Sequence, residues 1–260
     1  MNLKQVTSVY FSPTQSTKRV AERIAARLGI SSESVDLTDA RKRRPDYSFT
    51  ENEAVVVGIP VYGGRVPATA AERLRKLHGR QTPAILVVTY GNRAYEDALI
   101  ELKDILTEQG FRPAAAAAVV TQHSIVPKIA EGRPDKEDLR RLDHFAADVR
   151  TKLQTLPSNY ELPELEVKGN RPYRPYHVMP LKLKVSSSCS GCGICIRKCP
   201  VQAISRTDSR VTDEQRCIAC MRCVSVCPTG GRKLGTLMQL AITQKLKKVC
   251  AARKEPEFFV

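Results

Sequence analysis

A four-cysteine pattern that occurs twice in the last third of the chain constrains its fold more than any other feature. In each copy the cysteines are separated by two, two and three residues, and a proline follows the fourth; the copies lie 28 residues apart. The eight cysteines are Cys189, Cys192, Cys195, Cys199, Cys217, Cys220, Cys223 and Cys227. None of the nine cysteines precedes Cys189, and this crowding favours metal ligation over a disulfide framework.

The spacing indicates iron–sulfur chemistry. Three cysteines separated by two residues wrap a tight loop around three corners of a [4Fe–4S] cluster, so all eight cysteines are predicted ligands. Zinc is the alternative, but zinc sites use paired C-x2-C units and need neither a third cysteine nor the Cys-Pro pair. The second copy has no glycine where the first has Gly191 and Gly193, and it contains Met221 and Arg222, so two different reduction potentials are expected. Cys250 matches no motif and is predicted to be free.

Residues 185–234 closely resemble bacterial two-cluster ferredoxins, including the segments CPVQAIS and CPTGG. In those proteins the fourth cysteine of each motif ligates the other cluster. The resemblance therefore implies two ligand sets and low-potential, single-electron chemistry. The first set is Cys189, Cys192, Cys195 and Cys227, and the second set is Cys217, Cys220, Cys223 and Cys199.

The first 153 residues predict an α/β domain. Strands are predicted at 3–11, 34–37, 54–60, 84–90 and 114–121, and the helices end near Leu28, Leu77, Glu108 and Leu153. This alternation favours a doubly wound parallel five-stranded sheet of order 2-1-3-4-5. A proline-rich linker is predicted over 154–184, a small α+β two-cluster domain over 185–234, and a basic helix at 237–249 followed by a loose tail to 260.

Three loops of the α/β domain form a candidate flavin site. The Ser/Thr-rich turn at 12–17 opens a helix, which suits a phosphate, although neither GxxxxGK[ST] nor GxGxxG is present. A flavin lies between strands one and three of such a sheet, where Tyr62 and Tyr90 are candidates to contact its ring. The predicted binding residues are Ser12, Thr14, Gln15, Ser16, Thr17, Pro60, Val61, Tyr62, Gly63, Gly64, Thr89, Tyr90, Gly91, Asn92, Arg93 and Tyr95.

Residues 1–153 resemble flavodoxins, with Gln15 in the phosphate loop where glycine is usual. A flavodoxin-like domain followed by a two-cluster ferredoxin resembles a family of bacterial and archaeal flavodoxin–ferredoxin fusion proteins. The segments PVYGGRVP and TYGNRAYEDA are similar to the flavin loops of that family. The resemblance implies FMN and two [4Fe–4S] clusters as cofactors.

The predicted function is electron transfer between the clusters and FMN, coupling a low-potential donor to an acceptor. The alternative is an FMN-dependent reductase of a small molecule that its own clusters supply with electrons, with His123 as a candidate proton donor. An electron carrier is favoured over a substrate-specific enzyme. Nucleic-acid binding is disfavoured, because no recognised motif or interleaved aromatic residues accompany the basic charge.

The charge of the chain is uneven. The net charge is +15 overall, with +13 in residues 168–260 and +2 before them. Anionic clusters offset part of this excess, and we expect an acidic redox partner protein. The polar first residues and the short apolar run at 114–120 predict a cytoplasmic protein without a membrane span. The sequence sets no oligomeric state.

Overall fold

The computed structural model describes residues 3–29, 31–40, 46–158, 161–177 and 181–260. Within these ranges the strands are β1 (Gln5–Tyr10), β2 (Ser32–Asp36), β3 (Tyr47–Phe49), β4 (Glu53–Pro60), β5 (Leu77–Gly79), β6 (Thr82–Tyr90), β7 (Phe111–Val120), β8 (Leu183–Val185), β9 (Arg232–Leu234) and β10 (Glu257–Phe259). The helices are α1 (Ser16–Arg27), α2 (Ala68–Leu74), α3 (Ala98–Glu108), α4 (Lys136–Thr155), α5 (Ile194–Lys198), α6 (Arg222–Ser225) and α7 (Thr236–Val249).

The main sheet has the strand order β10-β7-β6-β4-β1-β2. The strands β2, β1, β4, β6 and β7 run parallel and correspond to the predicted strands two, one, three, four and five. The predicted α/β class and the order 2-1-3-4-5 are therefore confirmed. The short strands β3 and β5 form a separate parallel pair that the sequence analysis missed.

Helices cover both faces of the main sheet, so alternate residues of one strand belong to different cores. Val56 of β4 lies in the core that contains Phe145 of α4 and Val20 of α1. Its neighbour Val57 lies in the opposite core, with Leu99 of α3. This two-sided burial explains the continuous apolar runs of β4 and β6, which are typical of parallel strands.

The expectation of a loose tail after α7 is wrong. Strand β10 adds to the edge of the sheet antiparallel to β7, with Phe258 opposite Ala117. The Phe258 ring stacks on Phe145 at 4.9 Å between centroids, and Arg141 lies over the same ring. The stacked ring and the sheet pairing together order this segment although its sequence is short and charged.

The cysteine-rich module consists of short elements around the two motifs. Strands β8 and β9 pair antiparallel, with Leu183 opposite Leu234. A small core joins Leu234 and Met221 of the module to Ile242 of α7 and to Val126, from the loop after β7. The module thus packs against the carboxyl-end edge of the main sheet.

The predicted linker is packed along the α/β domain. Leu165 is buried in the core beside α3, and Arg171 forms an ion pair with Asp104. The backbone N–H of Arg174 donates to the Asp97 carboxylate at 2.7 Å. Residues 159–160 and 178–180 of this linker lie outside the described residues, and the domain boundaries stay a prediction.

Candidate functional site

The loop between β1 and α1 directs the start of α1 into a cavity. Gln15 has a φ of 70°, in the left-handed region that favours glycine, and its side-chain amide donates to the Ser12 carbonyl at 3.0 Å. The Ser12 hydroxyl accepts from the N–H of Lys18 at 3.0 Å. The first N–H groups of a helix have no intrahelical acceptor, so those of Ser16 and Thr17, which line the cavity, suit a phosphate.

The cavity has a volume of about 620 Å³ and lies at the carboxyl ends of the parallel strands. Cofactor sites commonly measure about 300–1,000 Å³. Twelve of the predicted binding residues line it: Thr14, Ser16, Thr17, Pro60, Val61, Tyr62, Gly63, Gly64, Thr89, Tyr90, Gly91 and Arg93. Tyr62 is half-buried, whereas Tyr90 is 4% exposed and packs on Tyr95 at 5.5 Å between ring centroids. Tyr62 therefore offers more ring surface to a planar ligand.

The other four predicted binding residues, Ser12, Gln15, Asn92 and Tyr95, are not part of the cavity wall. Ser12 and Gln15 shape the first loop, as described above. The Asn92 amide donates to the carbonyl oxygens of Cys250 and Ala252, both at 2.9 Å. The Tyr95 hydroxyl donates to the Glu257 carboxylate at 2.9 Å. Asn92 and Tyr95 therefore hold the segment that leads to β10.

Three segments outside the predicted loops also line the cavity. They are the linker, the second cysteine motif and α7, which contribute Arg174, Pro175, His177, Ile218, Ala219, Ile242, Lys245 and Leu246. These residues carry no local sequence signal, because tertiary packing alone brings them to the sheet. The loop after β7 approaches as well: a Cβ placed on Gly91 would lie 2.8 Å from the Cβ of His123. Glycine at position 91 allows this close contact.

His123 lines the cavity as a neutral side chain. Burial, with a smaller effect from the nearby Arg93 charge, lowers its pKa to about 4. Its Nδ1 accepts hydrogen bonds from the N–H groups of Ile125 and Val126 at 3.1 and 3.2 Å. A neutral imidazole that accepts at Nδ1 carries its proton on Nε2. His123 can therefore donate a hydrogen bond, but it is not a charged acid at neutral pH.

The charged side chains of the cavity wall are cationic: they are Arg93, Arg174 and Lys245. Arg93 and Arg174 both pair with Glu96. Burial opposes ionisation of Glu96, but hydrogen bonds from Arg93 and Arg174 lower its pKa overall. Cations, hydroxyl groups and a helix start form a donor set that fits the phosphate of FMN, and the half-buried Tyr62 ring offers a face to its flavin.

The eight motif cysteines surround two small cavities. Cys189, Cys192, Cys195 and Cys227 line the first. Cys199, Cys217, Cys220 and Cys223 line the second. Each cavity takes its fourth cysteine from the other motif, as the resemblance to two-cluster ferredoxins implies. In the described part of the chain, no group of three or more His, Cys, Asp or Glu residues is arranged to hold a single metal ion.

The two motifs share one backbone conformation despite their different residues. Gly191 and Gly193 both have φ of 70°, and the equivalent residues Ala219 and Met221 have φ of 53° and 60°. Left-handed conformations are unfavourable for residues with a Cβ, at about 1 kcal/mol each. The second motif thus adopts the same loop at a conformational cost, as expected where a ligand set over-determines the backbone.

The thiols of the two motifs lie in different environments. Hydrogen bonding by the Gly191 N–H and the Ser209 hydroxyl lowers the pKa of Cys189. Burial raises the pKa of the Cys220 thiol and raises that of Cys223 to about 11. Thiols must lose their protons to bind iron. The chemistry of both sets fits a cluster, but the second set is the drier one.

Comparison with known proteins found a match for the α/β domain and another for the cysteine-rich module. A flavodoxin domain model matches residues 8–120, and a 4Fe-4S dicluster domain model matches residues 188–231. Ferredoxin-3 of Chlorobaculum tepidum is 40% identical over 55 residues, which cover 89% of that protein and 18% of this chain. The chain thus carries a flavodoxin domain followed by a 4Fe-4S dicluster domain, which fits a flavodoxin–ferredoxin fusion. A flavodoxin domain implies FMN and a 4Fe-4S domain implies iron–sulfur clusters, and together they support an iron–sulfur flavoprotein of electron transport.

Two further likenesses concern parts of the fusion. An uncharacterized protein of Methanocaldococcus jannaschii is 40% identical over 73 residues, which span 28% of this chain and only 26% of that protein. The flavodoxin of Streptococcus pneumoniae TIGR4 superposes on 57% of the chain and 99% of its own length, at 18% identity and a TM-score of 0.41. Among the described residues, no helix is long and apolar enough to cross a membrane. The cytoplasmic location stays a prediction.

Proposed function

We propose that this fusion is an electron relay in which two [4Fe–4S] clusters, held by the eight motif cysteines, exchange single electrons with FMN in the 620 Å³ cavity. The clusters carry one electron each and FMN carries one or two, which couples a one-electron partner to a one- or two-electron acceptor. One observation carries the proposal: Ile218 and Ala219, inside the second cysteine motif, form part of the flavin cavity wall.

The second motif approaches the flavin loops at two further points. Burial raises the pKa of Tyr62, and the neighbouring Cys220 thiol contributes to that rise. The Arg222 guanidinium donates to the Pro13 carbonyl at 2.7 Å. Tyr62 and Pro13 both line the flavin cavity. These contacts support a short path between the second ligand set and the flavin.

The first ligand set, Cys189, Cys192, Cys195 and Cys227, lies nearer to solvent than the second. Cys192 is exposed, and Cys189 and Cys227 are partly exposed, whereas Cys220 in the second set is buried. This gradient supports an order in which a partner protein meets the first cluster, the second cluster lies behind it, and the flavin lies innermost. Both clusters and the flavin then form one line through the protein.

Positive charge surrounds the exposed edge of the first motif. Arg197 donates to the carbonyl oxygen of Cys192 at 3.1 Å. Lys198 and Arg210, which belong to the same module, are also exposed. A cationic rim steers an acidic protein toward the edge and makes the association rate fall with added salt. We therefore assign the partner as an acidic one-electron protein that docks at Cys192.

Cofactor content is the first test of the relay. Protein prepared without oxygen is expected to contain about eight iron, eight sulfide and one FMN per chain. Zinc without sulfide would replace the cluster proposal with a zinc module. Iron and sulfide without flavin would restrict the α/β domain to a docking role.

Rapid mixing with a reduced acidic ferredoxin tests the route. In the wild type, bleaching of cluster absorbance is expected to precede flavin reduction. Cys220→Ser is expected to slow flavin reduction at least tenfold while the bound flavin is retained, because it removes a ligand of the second set. Cys250→Ser is the matched control, since Cys250 lies in neither cluster cavity. Equal rates in all three proteins would exclude the clusters from the route.

One observation favours the alternative of a small-molecule reductase. Apolar Ile125, Ile242 and Leu246 line the cavity together with His123, whose Nε2–H is free of the Nδ1 contacts described above. Such a wall suits a small apolar acceptor that takes one hydrogen bond. Leu246→Trp, which fills this side, is expected to abolish acceptor-dependent reoxidation of the reduced protein if the alternative holds. Unchanged reoxidation would count against it.

A further inference from the structure

Arg232 is the largest fully buried side chain among the described residues, with 2% exposure. Its Nη1 and Nη2 donate to the Thr212 hydroxyl at 3.1 and 3.2 Å, and Nη2 also donates to the Ser209 carbonyl. Its Nε is buried and has no hydrogen-bond partner. A buried guanidinium therefore retains one N–H group that nothing described in the protein satisfies.

The Arg232 charge also lacks a carboxylate. None of the ion pairs found among the described residues includes Arg232. Burying an unpaired cation costs several kcal/mol, so such a group is expected to have an anionic partner. The neutral oxygens of Thr212 and Ser209 do not supply one. The anion must come from a group that belongs at this position.

Arg232 lies between the two ligand sets. Arg232 lines the first cavity, together with Cys189, Cys192, Cys195 and Cys227. Its Nη1 also lies 3.9 Å from the sulfur of Cys223, which lines the second cavity. Arg232 therefore lies beside both sets, and thiolate-bound clusters are the anions its position calls for.

We propose that Arg232 is a positioning residue that both clusters share: its buried charge raises the reduction potentials of both, and its free Nε–H is a donor for cluster sulfur. This inference rests on the proposed assignment of two clusters. Each reduction adds one electron from an external donor and one negative charge to a cluster. The guanidinium is a fixed charge, because arginine side chains are not deprotonated in proteins. A fixed cation stabilises the more negative, reduced form.

The sharing has a specific consequence. A cation beside only one cluster would separate the two potentials, whereas a shared cation moves both in the same direction. The second motif already differs from the first in its residues and exposure. Arg232 thus keeps the reduction potentials of both clusters within the range that a single electron donor can reach, despite those differences.

The test is a potentiometric titration of the full-length, cluster-loaded protein followed by electron paramagnetic resonance. Arg232→Met is expected to lower both potentials, each by at least a tenfold change in the one-electron equilibrium constant, or about 59 mV. Arg232→Lys, which keeps the charge, is expected to restore most of that shift. The matched control is Lys233→Met, the exposed neighbour on β9, which removes the same charge and is expected to shift the potentials by less than half as much.

The iron content of each variant is measured as well, so that a variant that loses its clusters also gives a result. Loss of clusters from Arg232→Met and Arg232→Gln, with retention in Arg232→Lys, would support the same role, since charge is what the lysine variant retains. Unchanged potentials in Arg232→Met, a shift of one cluster only, or equal loss of clusters in all three variants would overturn the proposal. The potentials do not depend on transfer to flavin, so failure of the relay and failure of the Arg232 assignment give different results.

Discussion

The guanidinium of Arg222 reaches across to the carbonyl oxygen of Pro13 and donates a 2.7 Å hydrogen bond to it. A second, longer contact of 3.4 Å reaches the Ser12 carbonyl. The second cysteine motif is thereby attached to the loop that precedes α1, which is the predicted phosphate loop. Binding of flavin and the structure of the motif are expected to depend on each other through this contact.

Arg222→Met is expected to weaken FMN binding. Hydrogen bonds from charged groups contribute about 1.5–3 kcal/mol, so the loss corresponds to at least a tenfold rise in Kd, measured by flavin fluorescence titration. Arg216→Met is the control, because Arg216 is exposed and donates within the module, to the Val201 carbonyl. A similar Kd for both variants would contradict the role of the Pro13 contact.

Removal of single cysteines is expected to divide the nine into two classes. Cys250→Ser is expected to keep about eight iron atoms per chain, whereas Cys227→Ser and Cys220→Ser are each expected to lose about four. The reason is that Cys227 and Cys220 line different cluster cavities and Cys250 lines neither. Iron and sulfide analysis after anaerobic purification measures the difference. A full iron content in Cys227→Ser would refute the exchange of fourth ligands.

The neutral state of His123 predicts a pH-dependent stability. Its pKa is lowered to about 4 by burial and Arg93, against about 6.5 in an unfolded chain. Between these values the unfolded chain binds a proton that the folded chain does not. This contribution is therefore full above pH 6.5 and is lost as the pH falls toward 4.

Comparison of the wild type with His123→Gln isolates this effect. By pH 5.5 the wild type is expected to lose on the order of 1 kcal/mol more stability, relative to pH 7.5, than the variant. Thermal unfolding midpoints at the two pH values measure it. His144→Gln, at an exposed position on α4, is the matched control. If both variants change the pH dependence of the unfolding midpoint equally, the environment of His123 is not responsible for it.

Asn92 is expected to control the order of the segment that contains β10. It is 5% exposed, and its amide donates twice to that segment while its carbonyl oxygen accepts from the Lys254 N–H at 3.1 Å. Asn92→Ala removes all three bonds and is expected to raise amide exchange at Phe258 at least tenfold. Asn92→Gly also removes the three hydrogen bonds, but glycine adopts the left-handed backbone of this position readily. It therefore separates the loss of the hydrogen bonds from backbone strain. If amide exchange at Phe258 in Asn92→Gly equals that of the wild type, the effect of Asn92→Ala is due to backbone strain alone.

The sheet was predictable because strands that are buried on both faces have unbroken apolar sequences. The run Ala54–Val57 is apolar at every position, since alternate residues enter opposite cores. Strand β10 had no such signal. Its pairing depends on the stacking of Phe258 on Phe145 and on Glu257 accepting from Tyr95, which are contacts between residues far apart in sequence.

The candidate site was predictable to the extent that topology determines it. Loops at the carboxyl ends of parallel strands meet, so Thr14, Tyr62 and Thr89 were expected to lie together. Lys245 and His177 reach the same cavity only because the module and the linker fold back onto the sheet. Asn92 lies in the expected loop, but its side chain binds backbone instead of facing the cavity. Sequence position determined the loop, and packing determined the direction of each side chain.

The position of β10 makes the iron–sulfur module a cassette inserted into the α/β domain rather than an appendage. Strand β7 precedes the module in the chain and β10, which follows it, pairs with β7. The module is consequently attached to the α/β domain on both sides, since the linker before it bonds to Asp97 and β10 after it pairs with β7. Exchange of this module between proteins therefore requires grafting both junctions, and removal of residues 255–260 would convert a doubly anchored cassette into a hinged one.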